Sequence, residues 1–453
     1  MADFLINYEH KARELDSICL IKTELERRGY SVDLSCTYDE ERTKHKQRRK
    51  AKVVLTSALY NNSSLHYFVY SLAGFCRKVV NLQWEQSLTI QDESDPNFYQ
   101  NPKEYARDAL HLCWGVEVRN RLSRSGVSSK KAIVVGPSQM DILRPEFNDL
   151  FLDKDDIARM FNLNRKFEWV LFISSFTFVN MTDEEYNRER QCMGDRLDDF
   201  RHLSIVSKQE IVKWLELALI RYPDKTYIYR PHPSENGDDS LITMATKYPN
   251  FYIIKDLSVK QWIRSSDKIL TWYSTSVAEV FFSGKSCSIL RPIPIPNEWE
   301  VSIYRNATLI SDPEVFICDL ADNNGPFPLD EVLVREYYQV KNDSPSYCRI
   351  CDVLEDVINT KEFDMPRKSF LFVVNIHFIQ MKTHFLFIIK QLLSRSSYEM
   401  IFFWNRFLVS KLDNHIESMS RLNRDRGKNQ ASEEELAEIF EKIRRVLNAV
   451  KHG

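Results

Sequence analysis

At 453 residues the chain is too long for one ordinary core, so two or three domains are expected. Its 43% hydrophobic and 28% charged residues fit a soluble globular protein, and a net charge of −2 excludes the broad basic field that nucleic-acid binding usually needs. Eleven glycines, with no GxGxxG or GxxxxGK[ST] pattern among them, exclude a glycine-rich nucleotide loop.

The opening segment, Phe4-Leu-Ile, reads as a short buried strand. It is followed by helical spacing from Leu15 to Arg28 that stops at Gly29, and by a second strand from Ser31. Lys44 to Lys52 is a basic run that reads as a solvated helix face. Apolar runs at Val53, Val79 and Ala132 continue the alternation, which predicts a doubly wound parallel sheet. Arg144-Pro145 reads as a linker and Lys154 to Phe161 as a short helix. Strands follow at Trp169–Ile173, Thr226–Tyr229, Phe251–Ile254, Lys268–Trp272 and Ser286–Leu290. Between the first two, Ser207 to Arg221 is a helix with Ser207 at its N-cap and Glu210 at the capping-box position.

The expected architecture is α/β of GT-B type: two Rossmann-like domains facing a cleft, with a C-terminal helical extension. The boundaries are 1–147 for an acceptor-side domain, 148–330 for a nucleotide-sugar-binding domain, and 331–453 for the extension. In the extension, Phe370 to Lys390 and Tyr398 to Leu408 are apolar and aromatic, yet too interrupted by polar residues to span a bilayer. They read as a peripheral membrane-surface element or as a contact with the other domains or a second subunit. Ser432 to Glu435 caps a final charged helix. Nine scattered cysteines, and an N-terminus without the charged and apolar regions of a signal peptide, predict a reduced cytoplasmic protein. Cys348 and Cys351 read as ordinary helix residues.

Two segments carry the chemistry. In Tyr229-Arg230-Pro231-His232-Pro233-Ser234-Glu235, a strand ends in a turn whose prolines fix the backbone on both sides of His232. The imidazole can donate to phosphate or ribose, and Arg230 can fork onto phosphate or carboxylate. In the second segment a strand runs into Ser274-Thr275-Ser276 at a helix start, where hydroxyls and backbone N–H groups converge on an anion. Glu279, one turn on, is a candidate acceptor for ribose hydroxyls. Ser174 and Ser175, ending the first strand of that domain, are candidates for holding the leaving phosphate. In the first domain, Glu9 and His10 after the first strand are candidates for the general base, with Arg13 beside them. Glu85 offers a second carboxylate next to Trp84, a candidate platform for the acceptor sugar. Gly136-Pro-Ser-Gln-Met-Asp141 reads as the turn closing the first domain.

The NLQWEQ, VVGPSQMD, RPHPSE and TWYSTSVAE segments, in this order, resemble those of bacterial surface-carbohydrate glycosyltransferases. The group is similar in pattern to the polysialyltransferase-like and Kdo-transferase-like GT-B enzymes that use CMP-activated sugars, and the resemblance covers roughly residues 1 to 320. It implies that His232 and Ser274 to Ser276 bind the CMP part of the donor. It also implies a reaction without metal or cofactor, and a glycan or lipid-linked glycan acceptor. No fixed motif of the family matches a catalytic carboxylate here, so Glu9 and Glu85 rest on position. The reading is transfer of a 3-deoxy-ulosonic acid, sialic-acid-like or Kdo, from its CMP donor. The alternatives are a CDP-polyol phosphotransferase of teichoic-acid type, a nucleotide-sugar 2-epimerase, and a non-catalytic glycan-assembly scaffold.

Overall fold

The computed structural model describes residues 1–38, 50–322, 325–379, 381 and 429–450. In chain order the strands are β1 (Ala2–Tyr8), β2 (Val32–Cys36), β3 (Ala51–Thr56), β4 (Val79–Asn81), β5 (Leu110–Cys113), β6 (Ala132–Val134), β7 (Glu168–Ile173), β8 (Lys225–Arg230), β9 (Phe251–Ile253), β10 (Lys268–Thr271) and β11 (Ser286–Ile289). The helices that matter below are α1 (Lys11–Arg27), α2 (Lys154–Phe161), α3 (Arg196–Arg221), α4 (Val259–Ser265), α5 (Val277–Phe282), α6 (Ser346–Asn359), α7 (residues 370–379) and α8 (Glu433–Val450).

The chain forms two compact units, each built on one sheet. The first comprises residues 1–86, 96–142 and 338–453, as far as these are described, and the second residues 87–95 and 143–337. The sheet of the first unit has the order β2-β1-β3-β4-β5-β6, parallel throughout. The central strands are buried on both faces, so they read as continuous apolar runs such as Phe4-Leu5-Ile6 and Val53-Val54-Leu55. Helix α1 ends in a Schellman turn: Gly29 adopts φ +94°, and the Tyr30 N–H reaches Leu25 O at 3.1 Å.

The described residues from 338 onward belong to this first unit rather than to a separate extension. Helix α6 packs on α1, with Cys351 buried and its thiol 3.8 Å from Ile21 O, and α8 packs on α1 as well. The α8 start is capped as its sequence suggests: Ser432 Oγ accepts from Glu435 N–H at 3.1 Å, and Glu435 accepts from Ser432 N–H at 3.0 Å.

The second sheet has the order β11-β10-β7-β8-β9, again parallel throughout. Its core is aromatic, with Phe172, Phe176, Tyr229 and Trp272 among the buried rings. Residues 87–95 join this unit through Ile90 N–H to Glu300 O at 2.8 Å and Ser302 N–H to Leu88 O at 2.9 Å.

Two details depart from the sequence reading, and some segments lie outside what is described. Helix α3 begins at Arg196, so Ser207 is a buried mid-helix residue and not an N-cap, because Leu197, Phe200 and Ser204 already face the core. Strand β5 had no apolar-run signal, since the buried His111 sits in its middle. Of the apolar stretches in the C-terminal region, only residues 370–379 and 381 are described; Tyr398 to Leu408, and Lys44 to Gln47 with most of the basic run around them, lie outside the described residues.

Candidate active site

In an open parallel sheet, ligands bind beyond the carboxyl ends of the strands, where the strand order reverses. The second sheet runs β7, β8, β9 in one direction and then returns to place β10 and β11 on the other side of β7. The reversal therefore lies between β7 and β10. Arg230 and Thr271 both pair with Ile173, so the three loops at Ser174, Pro231 and Trp272 leave adjacent strands at one level. Adjacent strands stand about 4.8 Å apart, which brings the two motif segments and Ser174-Ser175 to one edge of the sheet.

The His232 turn is braced from inside. Glu235 is 4% exposed, and its carboxylate collects four donors. Ser174 Oγ donates at 2.5 Å, Tyr229 OH at 2.8 Å, Lys208 Nζ at 3.0 Å and His232 N–H at 3.2 Å. Lys208, from α3, also reaches Asp238 at 2.8 Å. His232 itself is exposed, and its Nδ1 accepts the Ser234 N–H at 3.1 Å. In the neutral ring the proton is thereby held on Nε2, which makes that atom the donor. Ser174 does not fit its expected contact with a leaving phosphate: it is 2% exposed and its hydroxyl proton is committed to Glu235. Ser175, next to it, has a buried hydroxyl with no partner among the described residues.

Arg230 ends β8 at 8% exposure. Its Nη2 donates to Leu257 O at 2.9 Å, its Nε has no partner, and among the described residues it forms no ion pair. Burial alone brings its guanidinium down to about 10, with no nearby carboxylate opposing the shift. A buried cation with no counter-ion is an expensive arrangement that an anionic ligand would relieve.

The loop after β10 is held from below. Arg291, 1% exposed, donates to Trp272 O and pairs with Glu300 at 2.8 Å. Tyr304 OH donates to Ser274 O at 2.7 Å, and Ser274 Oγ accepts the Ser276 N–H at 3.2 Å. Thr275 is exposed, whereas Ser274 and Ser276 are half-buried. Helix α5 has only six residues, so its dipole is short, and the hydroxyls and the turn's backbone carry more of the site than expected. Glu279 is half-buried; burial raises its carboxyl, and the Lys260 ammonium opposes that rise.

The first sheet has its own reversal, between β1 and β3. Glu9 and His10 follow β1, and Gln83 to Gln86 follow β4, one strand beyond β3. Arg13 ties them together by pairing with Glu85 and, at 3.0 Å, with Glu14. Glu14 is fully buried and accepts the Glu9 and His10 N–H groups at 2.9 and 3.2 Å. It therefore fixes the loop that presents Glu9, and burial raises its carboxyl despite Arg13. Tyr38 OH donates to Glu9 at 3.2 Å, and His10 Nδ1 lies 3.1 Å from Asn429 Oδ1. Gln83 is held at φ +37° while 2% exposed, a strained turn that leaves Glu85 exposed and Trp84 inside. Trp84 is 5% exposed and lines a small internal cavity with Leu82, Trp114 and Val135. A sugar platform needs an open ring face, so Trp84 is a core residue and not the expected acceptor contact.

No protein-family model matches the chain, and no curated protein matches it by sequence. Among solved structures, the chain is similar to a His-to-Ala variant of the wall teichoic acid polymerase TagF, with TM-score 0.50 and 9% identity over 79% of this chain and 89% of that one. Two further similar structures are the Methanocaldococcus jannaschii UDP-GlcNAc 2-epimerase in complex with UDP-GlcNAc and UDP (TM-score 0.48, 13% identity, 78% of this chain and 99% of that one) and S. aureus MnaA with UDP (TM-score 0.47, 13% identity, 79% and 97%). The chain has a GT-B-type fold. At this identity the likeness to TagF is one of fold, and it agrees with the two Rossmann-like units built from the strand orders above.

Several residues that organise these loops gave no sequence signal. Lys208 lies beside the expected N-cap at Ser207 with nothing to mark it out, and Arg291 and Glu300 lie in a proline-rich stretch after β11. Glu235 stood inside the RPHPSE segment but carried no assigned role. Only its four partners reveal it, two of them, Ser174 and Lys208, distant in sequence.

Proposed function

We propose that this protein is a GT-B-type group-transfer enzyme that moves a 3-deoxy-ulosonic acid from a CMP-activated donor to a surface-glycan acceptor. The observation that carries the reading is Arg230: a buried guanidinium without a counter-ion among the described residues, one strand from the reversal point of the second sheet. Such a donor carries a phosphate and a carboxylate, either of which would neutralise it. His232 Nε2, Ser175 Oγ and the Ser274-to-Ser276 turn supply further donors at the same edge. Fixed donors of this kind stabilise the charge that develops on the departing phosphate. Glu279 is assigned to the ribose. The base that deprotonates the acceptor hydroxyl is assigned to Glu9 or Glu85, and His10 and Arg13 to their support.

A second reading is transfer of a polyol phosphate from a CDP donor, favoured by the fold likeness to the teichoic acid polymerase. Both readings use a cytidine nucleotide. Calorimetric titration with CMP, CDP, UDP and GDP tests them together: preference for UDP or GDP sinks both. Turnover of a CMP-ulosonic acid but not of CDP-glycerol selects the first, and the reverse selects the second. Under the first reading, Glu9→Gln and Glu85→Gln retain CMP binding while one of them abolishes turnover.

A further inference from the structure

The second unit carries a groove at the end of its sheet opposite the candidate active site. It lies at the amino ends of β8 and β9, bounded by the C-terminal end of α3 and the segment between α2 and β7. Its volume is about 660 Å³, within the range of small-ligand pockets. Thr226 lines it near the start of β8 and Arg230 ends the same strand, so the groove and the donor edge stand about 13 Å apart. Twelve described residues line the groove, and none is Asp, Glu, Lys, Arg or His. At the chain's 28% charged content, about three would be charged. Arg165, Lys166, Asp224, Lys225 and Lys247 each stand beside a lining residue in the sequence, yet none of them lines it. A nucleotide, a phosphate or a carboxylate calls for a cationic partner that this lining does not supply.

The groove offers neutral hydrogen bonding beside ring faces. Asn164 Oδ1 accepts the Lys166 N–H at 3.0 Å, which leaves its Nδ2 as a donor. Asn250 Nδ2 donates to Lys225 O at 2.9 Å, which leaves its Oδ1 as an acceptor. Asn162 caps α2 at φ +54°, and its exposed amide has both ends open among the described residues. Thr226 is fully buried, and its hydroxyl has no partner among the described residues, a costly state that a ligand oxygen would relieve. Phe167, Tyr248 and Tyr252 are half-buried. Tyr248 OH donates to Glu216 at 3.0 Å and Tyr252 OH to Asn162 O at 3.3 Å, so both rings are oriented before any ligand arrives. A sugar ring presents C–H groups on its faces and uncharged hydroxyls at its rim, which is the complement of this lining. We infer that the groove is a second saccharide site, which takes a neutral sugar and rejects an acidic one. The ring lies against the aromatic side chains, and its hydroxyls meet Asn162, Asn164, Asn250 and Thr226. Under the group-transfer reading, on which this use rests, the site tethers a neutral stretch of the acceptor glycan and raises its effective concentration at the enzyme. The sugar binding itself does not depend on that reading.

Saturation-transfer NMR of the full chain, without nucleotide, tests this with maltose, cellobiose, lactose and chitobiose at millimolar concentration, and with sialyllactose and uridine as controls. At least one neutral disaccharide should receive saturation, strongest on the C–H protons of one ring face, and uridine should not displace it. Sialyllactose should bind no better than lactose. Asn162→Gly removes an amide at a left-handed position that glycine adopts without strain, so the fold is kept. It should weaken saccharide binding about fivefold, the loss of one net hydrogen bond. Tyr252→Ala should weaken it further. Both variants should bind CMP as the unsubstituted chain does, whatever affinity that is, so failure of the donor reading leaves this result standing. Absence of binding by all four neutral sugars, displacement by uridine, preference for sialyllactose over lactose, or full retention by Asn162→Gly overturns the inference.

Discussion

The Lys208 ammonium lies 3.0 Å from the Glu235 carboxylate, with both side chains almost completely buried. This pair joins the long helix α3 to the turn that carries His232, because Glu235 also accepts the His232 N–H. Removing one partner of a buried pair strands the other charge, at about 3–5 kcal/mol. Lys208→Met should therefore lower the unfolding free energy by that amount in urea titration. The Lys208→Met/Glu235→Gln double variant should recover a substantial part of the loss. A double variant no more stable than Lys208→Met would show that the two charges do not depend on each other.

Arg230 leads to the opposite expectation. A buried guanidinium with, among the described residues, one carbonyl partner and no counter-ion contributes little to stability. Arg230→Met, similar in length and apolar, should change the unfolding free energy by no more than about 1 kcal/mol. The same variant should weaken nucleotide binding at least about tenfold, as expected for loss of a charge-assisted contact. A large stability loss with unchanged binding would make Arg230 a structural residue.

Gly136 occupies φ +78° after β6, and a methyl there would meet Arg349 Nη2 and Ser346 Oγ at 2.5 Å and Gln339 O at 2.7 Å. Gly29 also has a positive φ, +94°, but nothing lies within 4 Å of its missing methyl. Gly29→Ala should cost about 1–2 kcal/mol from backbone strain alone. Gly136→Ala should cost more, about 2–4 kcal/mol, because α6 must shift as well. Thermal melts of the two variants compare them directly.

His111 is buried in β5, where its Nδ1 accepts from Asn81 at 3.1 Å and its Nε2 donates to Ala106 O at 3.0 Å. Burial depresses its basicity to about 4, against 6.5 for an ordinary imidazole. Between those values the unfolded chain binds the proton and the folded protein does not. The contribution to stability is therefore whole above pH 6.5 and is lost as pH falls toward 4, by about 3 kcal/mol in all. In an NMR titration the His111 ring should remain neutral at pH 5. Protonation near pH 6.5 would contradict the buried neutral assignment.

Strands such as β1, β3, β7 and β10 were legible because a parallel strand buried on both faces must be apolar throughout. Strand β5 was not, since His111 is tolerated only through Asn81 and Ala106, partners that no local pattern announces. The start of α3 was misplaced for a related reason. A hydroxyl at Ser207 with Glu210 behind it imitates a capping box, and only the burial of Leu197 and Phe200 shows the helix already under way. At the candidate site, the His232 turn and the Ser274 loop stood out in the sequence because proline and clustered hydroxyls are local signals. What braces them comes from far along the chain: Lys208 for the first, Arg291 and Tyr304 for the second. Trp84 was misjudged because an aromatic beside a carboxylate looks the same in sequence whether its ring faces a sugar or the core.

The packing of α6 on α1 has a consequence for synthesis on the ribosome. The apolar residues of α1, Ile18 and Ile21 among them, are made before the second unit, but Ile350, Cys351 and Leu354 of their covering helix emerge over three hundred residues later. At about 5–20 residues per second the interval is some tens of seconds. During it the first sheet waits with one flank of α1 uncovered while the whole second unit is made. The nascent chain is thus exposed to aggregation throughout that interval, and a truncation anywhere before Ser346 leaves the first sheet without this cover however much of the second unit is retained.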